Sequence, residues 1–320
     1  MSTQENKNMS ELLDILNNEK STTSVVDNSI IVEEKLISVD DLLPTKRQHI
    51  SYSELHDWIE CNWRHKLKYV DNINLDSESI HTTFGTLIHD MIDTKLTIGD
   101  LENPIDWENI KNNWTNNIAP AFIERNKTNT KVLEEFEQNY IAFGESIEPI
   151  SKSIIPWLNN TFPGWSLVKS EYKIYESILN HKDRFFKGFV DCIIKIPNPK
   201  KKDSFLYWIL DWKCTSWGWS FDKKTNFNKQ MQLILYKHFF ARINNIPLKD
   251  IRCGFVLLKR TPTKNSDSNI ELVPVSVGPI SEEKALRNIS SMLVHLKKKL
   301  YLKNRYSCKY CKYSNTEHCT

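Results

Sequence analysis

Hydrophobic positions between residues 186 and 213 form two strand-like runs joined by a lysine-rich loop. Side chains alternate between the two faces of a strand, so each face can be read separately. In the second run both faces are apolar, which is typical of a central strand covered on both sides. One face carries Leu206, Trp208, Leu210 and Trp212, and the other carries Phe205, Tyr207 and Ile209. The pattern predicts two adjacent strands inside a covered sheet, and therefore an α/β fold.

Helical and strand periodicities predict further elements on both sides of these strands. Helices are predicted at 51–61, 84–98, 227–244 and 281–302, and strands at 167–176, 252–259 and 271–277. Residues 104–160 read as a helical insertion beside the sheet, with breaks expected at Pro104, Pro149 and Pro156. The last segment, 303–320, is rich in cysteine.

The first 45 residues differ in composition from the rest of the chain. They contain nine acidic residues against three lysines and are rich in Ser, Asn and Thr, so we expect a mostly disordered tail. A folded domain is expected over 46–320. Within the tail, residues 10–17 place Leu12, Ile15 and Leu16 on one helical face. This segment is a candidate docking helix for a protein partner; the alternative is a transient helix without a partner.

The net charge of +3 hides this asymmetry, because removing the acidic tail leaves a clearly basic remainder. Such a balance suits a polyanionic partner. The sequence contains no run of about twenty apolar residues, so no membrane span or membrane partner is expected. Seven cysteines, an odd number, argue against a secreted disulfide framework. We therefore expect a cytoplasmic protein, in the host cytoplasm if the chain is viral.

Candidate chemistry is concentrated at Asp211-Trp212-Lys213, at the end of the central strand. Asp211 and Lys213 project from the same face, and burying both charges without a purpose would be costly. Asp191 on the preceding strand adds a second carboxylate. Two carboxylates suit a hard divalent cation, and a lysine can orient or deprotonate a water molecule. The set therefore indicates a metal-dependent phosphodiesterase site. The alternative is an ordinary ion pair at a strand end.

Other polar residues in the ordered region could support this site. His89 follows Gly85 by one helical turn, and Glu171 lies in the predicted strand at 167–176. Gln232 and Tyr236 share a helix face at i and i+4. Each also has an ordinary interpretation, since a lone histidine is usually surface or satisfied core, and such Gln/Tyr pairs are common on amphipathic helices.

Four cysteines have a spacing typical of a metal site. Cys308, Cys311 and Cys319 lie close together, and Cys61 is the candidate for a distant fourth ligand. Zinc ligation with His65 or His318, or free thiols, remain alternatives. The other three cysteines fall in predicted strands and are expected to be small buried residues: Cys192, Cys214 and Cys253.

Taken in order, these motifs resemble the RecB-type branch of the PD-(D/E)xK nucleases. The series is Gly85…His89, then Glu171, Gly188-Phe-Val-Asp191, Asp211-Trp-Lys213 and Gln232-Leu-Ile-Leu-Tyr236. The resemblance covers roughly residues 50–320. It implies an αβββαβ core around a mixed central sheet and Mg²⁺- or Mn²⁺-dependent hydrolysis of DNA.

The resemblance also assigns roles to individual residues. His89, Asp191, Asp211 and the main-chain carbonyl of Trp212 would be metal ligands, and Glu171 an accessory carboxylate. Lys213 would orient or deprotonate the attacking water, supported by Gln232 and Tyr236. Charge, independently of the resemblance, predicts a DNA track at six lysines, with a solvated loop as the alternative: Lys200, Lys201, Lys202, Lys223, Lys224 and Lys229.

The cysteines resemble those of an iron–sulfur branch of the same family, which includes CRISPR-associated RecB-like exonucleases and AddB-type nuclease domains. In that branch one N-terminal cysteine and a C-terminal trio hold a [4Fe–4S] cluster, which here implies Cys61, Cys308, Cys311 and Cys319 as ligands. This chain departs from the pattern at Asn62, where proline is common, and in the longer gap between Cys311 and Cys319.

The favoured interpretation is an exonuclease acting on single strands or duplex ends in DNA repair, recombination or phage- and CRISPR-related DNA processing. One rival is a structure-selective endonuclease, since the same site cuts internally if the cleft is open. Another is a non-catalytic DNA-binding recombination factor. The Asp–Asp–Lys set argues against the second rival, because binding alone needs no activated water.

Overall fold

The computed structural model describes residues 43–99, 101–103, 105–261 and 269–320. The predicted docking helix at 10–17 and almost all of the predicted acidic tail lie outside these residues. Leu43 is already buried in the hydrophobic core, so the packed chain begins upstream of residue 46. Among the described helices, none is both long and apolar enough to cross a membrane.

The described residues form a mixed α/β fold around one mixed sheet. Its strands are β1 His49–Ser51, β2 Ser166–Ile178, β3 His181–Pro197, β4 Phe205–Thr215, β5 Ile251–Lys259 and β6 Ile270–Val275. The α-helices are α1 Tyr52–Glu60, α2 Asn62–His65, α3 Ile80–Ile98, α4 Trp107–Asn113, α5 Ala119–Arg125, α6 Thr130–Thr161, α7 Phe221–Thr225, α8 Phe227–Asn244 and α9 Pro279–Lys297. Short π-helical segments occupy Lys66–Val70 and Trp114–Ile118, and 3₁₀ turns occupy Leu248–Asp250 and Arg305–Tyr310. The order α3-β2-β3-β4-α8-β5 confirms the predicted αβββαβ core.

Strand β3 has one strand partner on its first edge and two on its second. On the first edge, β2 pairs antiparallel with it, from the pair Ser166–Lys195 to the pair Ile178–His181. On the second edge, β1 pairs with residues 185–187 of β3 and β4 pairs with residues 192–197. Residues 188–191 therefore lie between the two partners, and we call this gap in the ladder the fork. Beyond β4 the sheet continues with parallel β5 and antiparallel β6.

Two hydrophobic clusters cover the two faces of the sheet. One joins the sheet to α1, α8 and α9, and the other joins it to α3 and the helices of residues 107–161. Along β4, Ile209 belongs to the first cluster, whereas Leu210 and Trp212 belong to the second. This alternation confirms that β4 is a central strand covered on both faces.

The prolines of the long helix do not break it, contrary to the sequence-based expectation. Pro149 and Pro156 both lie inside α6, while Pro104 is outside the described residues. An interior proline costs about 3 kcal/mol because it removes a hydrogen bond. The helix continues because tertiary packing outweighs this cost, with a continuous buried stripe that includes Phe143, Ile147, Ile150, Ile154 and Leu158.

The last helix is shorter than predicted. α9 ends at Lys297, and Lys299 adopts a left-handed conformation with φ 54°. The chain then passes along α2, where the carbonyl of Leu302 accepts the backbone N–H of Trp63 at 3.1 Å. This turn brings the cysteine-rich end back to the start of the folded region.

Candidate active site

The fork is where one edge of β3 has no strand partner in the described part of the chain. Asp191 lies one residue before the first β3–β4 pair, Cys192–Leu210. Its carboxylate accepts the backbone N–H of Trp212 at 2.8 Å, so a side chain continues the hydrogen bonding where the ladder stops. Burial, and then the negative charge of Asp211, raises the pKa of Asp191. The fork thus holds a carboxylate that is fixed in position and close to a second one.

Asp211 and Lys213 form the charged end of the central strand. Asp211 is 0 % exposed, and Lys213 Nζ lies 2.5 Å from its Oδ2. Burial by itself lowers the pKa of Lys213, but the negative charges of Asp211 and Asp191 outweigh that effect and raise it. Neither carboxylate oxygen of Asp211 has a hydrogen-bond partner among the described residues apart from this ion pair. The buried carboxylate therefore keeps most of its acceptor capacity unused.

His89 reaches the same place from α3, on the opposite layer. Its Nε2 lies 3.0 Å from the carbonyl oxygen of Trp212, and its Nδ1 lies 3.6 Å from Asp191 Oδ2. Because a carbonyl only accepts, Nε2 is the donor in that contact. Burial, and then the positive charge of Lys213, lowers the pKa of His89. The structure thus brings together His89, Asp191 and the carbonyl of Trp212.

Glu171 lies across from the fork on β2. It has φ 48°, a left-handed conformation that a non-glycine residue rarely adopts in a strand. Its side chain is exposed. Partial loss of hydration near the protein surface, and then the charges of Asp93 and Asp90 on α3, raise its pKa, with a smaller contribution from Asp211. Glu171 therefore belongs to the acidic surroundings of the fork and makes no contact that would fix it as a ligand.

Tyr236 packs against Gly188 and is contacted by Gln232. A Cβ on Gly188 would lie 2.6 Å from Tyr236 Cε1, closer than any side chain allows. The ring of Tyr236 thus fills the fork against bare backbone. Gln232 Nε2 donates to the Tyr236 hydroxyl at 3.4 Å. Burial raises the pKa of Tyr236.

The sequence did not single out Tyr52, which the structure places beside these groups. Its hydroxyl donates to the carbonyl of Asn228 at 2.8 Å, tying α1 to α8. Burial, and then the negative charge of Asp211, raises the pKa of Tyr52. The sequence feature that could have pointed to Tyr52 is Ser51, because its side chain caps α1 and so places Tyr52 in the first turn of that helix.

The predicted DNA-track lysines fall into two groups. Lys223 and Lys229 line a cavity of about 490 Å³ together with Lys213, and Lys224 is paired with Glu271 at 2.6 Å. The loop 200–202 lies at the other end of the β3–β4 hairpin, roughly 20 Å from Asp211 at about 3.3 Å per residue. The structure does not bring that loop to the fork.

The four predicted cluster cysteines meet at a separate place. Cys61, Cys308, Cys311 and Cys319 line one small cavity of about 10 Å³, and all four are free thiols. Cys61 is the C-cap of α1 rather than a helical residue, and its sulfur accepts the backbone N–H of Asn304 at 3.3 Å. We call this site the cysteine cavity.

The histidine alternatives for that site are not supported. His65 is completely buried, with Nε2 3.0 Å from Glu54 Oε1 and its ring stacked on Tyr69. Neither His65 nor His318 lines the cysteine cavity. Of the remaining cysteines, Cys192 and Cys253 are buried as expected, whereas Cys214 is only half-buried.

Over the described residues, no group of three or more His, Cys, Asp or Glu side chains is arranged to hold a metal ion. Neither the fork nor the cysteine cavity therefore has a preformed set of metal ligands among the residues described, and at the fork His89 bonds a carbonyl while Asp211 pairs with Lys213. The carboxylate and carbonyl oxygens suit Mg²⁺ or Mn²⁺, and the imidazole nitrogen favours Mn²⁺ over Mg²⁺. Buried carboxylates beside a lysine at a gap in a sheet are typical of the class of acid–base or metal-assisted hydrolytic enzymes.

The comparison with known families agrees with this class. A model of the PD-(D/E)XK nuclease superfamily matches residues 49–316. The chain therefore belongs to the PD-(D/E)XK nuclease superfamily, whose members commonly use divalent metals such as Mg²⁺.

Individual proteins add little to this assignment. Among curated proteins, no sequence matches this chain. Among solved structures, a protein named "Putative exonuclease" from Eubacterium rectale is similar at 11 % identity, with a TM-score of 0.49 over 88 % of this chain and 94 % of that one. Similarity at this level carries no argument about the present chain.

Proposed function

We propose that this protein is a metal-dependent deoxyribonuclease of the RecB type that acts as an exonuclease on single strands or duplex ends. One observation carries the proposal: the buried Asp211 pairs with Lys213 beside Asp191 and His89 at the fork. The adjacent buried positions of β4 are apolar, so packing of the sheet does not require a carboxylate there. Such an activity would serve DNA repair, recombination or phage- and CRISPR-related DNA processing.

The residues of the fork divide the work of phosphodiester hydrolysis. His89, Asp191, Asp211 and the carbonyl oxygen of Trp212 would hold Mg²⁺ or Mn²⁺, with Glu171 as an accessory carboxylate. A bound divalent ion supplies an acidic water and offsets negative charge on the phosphate. Lys213 would orient the attacking water as an ammonium held in place by Asp211, or would deprotonate it from its neutral amine form. Tyr236 and Gln232 brace the backbone at Gly188, so that Asp191 keeps its position.

Oligonucleotide digestion tests the proposal directly. Strands labelled at the 5′ or 3′ end would be incubated with Mn²⁺, Mg²⁺ or EDTA, beside a covalently closed circle of the same sequence. We expect cation-dependent shortening of the linear strands and an intact circle. Cleavage of the circle would replace the exonuclease with an endonuclease, and degradation that persists in EDTA would remove the metal from the reaction.

A second part of the proposal concerns the cysteine cavity, where a [4Fe–4S] cluster would bind and zinc is the alternative. Support comes from the four thiols that line one cavity, since four cysteines suit either group. Protein purified without air should be brown and contain about four iron atoms per chain. A colourless protein with one zinc per chain would select the alternative, and a protein free of both metals would remove the cofactor.

The third part is the DNA track. Lys223 and Lys229 line the cavity beside Lys213, Lys224 remains a predicted member although it is paired with Glu271, and we retain the loop Lys200–Lys202 as a more distant part of the track. Reversing the three loop lysines to glutamate should weaken DNA binding and flatten its dependence on salt, because fewer counterions are released. An unchanged salt dependence would remove the loop from the track.

A further inference from the structure

The cavity beside Lys213 has a chemistry that hydrolysis at the fork does not use. It has a volume of about 490 Å³, within the range of small-ligand pockets. It shares Lys213 and the supporting side chain of Gln232 with the fork, whereas His89, Asp191 and Asp211 do not line it. The cavity is therefore a neighbour of the reacting centre rather than the centre itself, and we call it the lysine cavity.

The charges that face the lysine cavity are mostly positive. Four lysines line it, namely Lys68, Lys213, Lys223 and Lys229, against one carboxylate, Asp57. That carboxylate is already neutralised by an ion pair with Arg64, by Lys68 at 3.3 Å and by a hydrogen bond from the Tyr69 hydroxyl at 3.1 Å. Asp57 therefore cannot balance the remaining lysines.

Two of the four ammonium groups already have partners, and two do not. Lys213 is paired with Asp211 at 2.5 Å, and Lys68 is paired with Asp76 at 2.8 Å. Across the described part of the chain, neither Lys223 nor Lys229 lies within ion-pair distance of a carboxylate. Lys223 instead lies over the Trp219 ring, 4.7 Å from its centroid. The cavity thus presents two uncompensated positive charges.

We infer that the lysine cavity binds the terminal phosphate monoester of a nucleic-acid strand, with Lys223 and Lys229 matching its two negative charges. A phosphodiester inside a strand carries one charge, whereas a phosphate monoester carries about 1.5 to 2 at neutral pH. Two unpaired ammonium groups fit the second better. The inference rests on the proposed nuclease function, and it makes the phosphorylated end the feature by which the enzyme selects its substrate.

The walls of the cavity favour recognition of the phosphate over recognition of a base. One face of the Trp219 ring is covered by Lys223, and the ring packs against Phe255 at 5.1 Å. Trp219 is thus used to position a lysine and has less surface left for stacking. Selection by the phosphate alone does not depend on base identity, which suits an enzyme that acts on ends of any sequence.

Binding measured in EDTA tests the inference independently of cleavage. Fluorescent oligonucleotides of one sequence would carry a 5′-phosphate, a 3′-phosphate or hydroxyls at both ends, with a deoxynucleoside monophosphate as a competitor. We expect one phosphorylated end to bind about tenfold or more tighter than the hydroxyl strand, as charge-assisted contacts give. The free mononucleotide should compete weakly. Equal affinity for all three strands would overturn the inference, and equal affinity for the mononucleotide would make the cavity a site for free nucleotides.

A matched pair of double variants assigns the effect to the cavity. Lys223→Gln with Lys229→Gln should bring the ratio of the dissociation constants for hydroxyl and phosphorylated strands close to one. Lys200→Gln with Lys201→Gln makes the same change in charge on the distant hairpin loop and should leave that ratio unchanged. Equal loss of the ratio in both double variants would show a general charge effect and overturn the inference. Failure of the nuclease proposal would appear separately, as no cleavage with Mn²⁺ despite selective binding in EDTA.

Discussion

The fork and the cysteine cavity lie at opposite ends of α1 and are built in different ways. Tyr52 in its first turn lies beside the fork, and Cys61 at its C-cap lines the cysteine cavity, roughly 13 Å away at 1.5 Å per residue. The charged groups of the fork come from neighbouring strands and one helix. The cysteines come from the two ends of the folded region, more than 240 residues apart.

The contacts around each site differ accordingly. At the fork, charged side chains contact one another inside apolar surroundings. Around the cysteine cavity, side chains form hydrogen bonds to backbone groups. The carbonyl of Glu60 accepts from Asn304 Nδ2 and from the Ser307 hydroxyl, both at 2.8 Å. The indole of Trp63 donates to the carbonyl of His318 at 3.1 Å. The fork thus gathers charged side chains, whereas the contacts at the cysteine cavity join the two ends of the folded region, so damage to each should have different consequences.

The largest expected effect is at the fork. Asp211→Asn should reduce the rate of DNA cleavage by a factor on the order of 10³ or more, with DNA affinity nearly unchanged. In the proposed mechanism the carboxylate acts on the reacting centre, whereas affinity comes from lysines on the phosphates. Steady-state cleavage and binding assays would measure the two separately. Asp203→Asn, on an exposed turn in a left-handed conformation that asparagine tolerates, is the control and should be silent.

Lys213→Ala should give a loss of the same order, again with binding retained. A variant that kept a third of the activity would contradict the assignment of Lys213 to the water. A loss of activity in parallel with a loss of folding would instead assign Asp211 and Lys213 to stability, and would remove the contrast with the cysteine cavity.

The next effect is at the cysteine cavity, where stability should suffer before chemistry. If the cavity holds the proposed cluster or zinc, Cys61→Ser should remove it and lower Tm by roughly 10 °C, as the loss of several kcal/mol of ligand binding predicts. Differential scanning calorimetry and metal analysis would follow both. Cys253→Ser makes the same chemical change at a buried strand position and should keep the metal. A Cys61→Ser variant with full metal content and unchanged Tm would exclude Cys61 from the site.

A smaller effect tests packing at the fork without touching a charge. Gly188→Ala should destabilise the fold by about 1–3 kcal/mol, because its Cβ would collide with the ring of Tyr236. Gly85→Ala, at a helical position with nothing within 4 Å, should instead stabilise it by about 0.5–1 kcal/mol. Urea denaturation of both variants measures the difference. If both variants changed the free energy of unfolding in the same direction, the ring of Tyr236 would have moved to make room for the added methyl group at position 188.

The smallest expected effect lies on the helix that joins the two sites. Ser51 accepts the backbone N–H of Glu54 at 3.2 Å, so Ser51→Ala should cost about 1 kcal/mol. Because α1 carries Tyr52 at one end and Cys61 at the other, fraying should reach the fork first. Hydrogen exchange along α1 would measure it, and uniform loss of protection along the helix would contradict that order.

Much of the fold follows from local pattern, because alternation and helical periodicity depend on near neighbours alone. α8 begins and ends where its apolar positions predict, at Phe227 and Asn244. The apolar residues on both faces of β4 require a covered central strand, and the phase of the same alternation places Asp211 and Lys213 on one side. The sequence therefore determined the order of the core elements and the pairing of the central charges.

The tertiary structure decided what depends on contacts between distant residues. The fork exists because β1 and β4 pair with different parts of the same edge of β3 and leave residues 188–191 between them. The sequence of either strand does not predict where the other one ends. Burial of one long face carries α6 through Pro149 and Pro156, although both residues oppose a helix locally. His65 contacts Glu54 because both side chains are buried at the same place, and the residues next to His65 in the sequence do not predict that contact. Such outcomes are set by the summed packing of the whole domain, whereas local patterns fix only which face each residue presents.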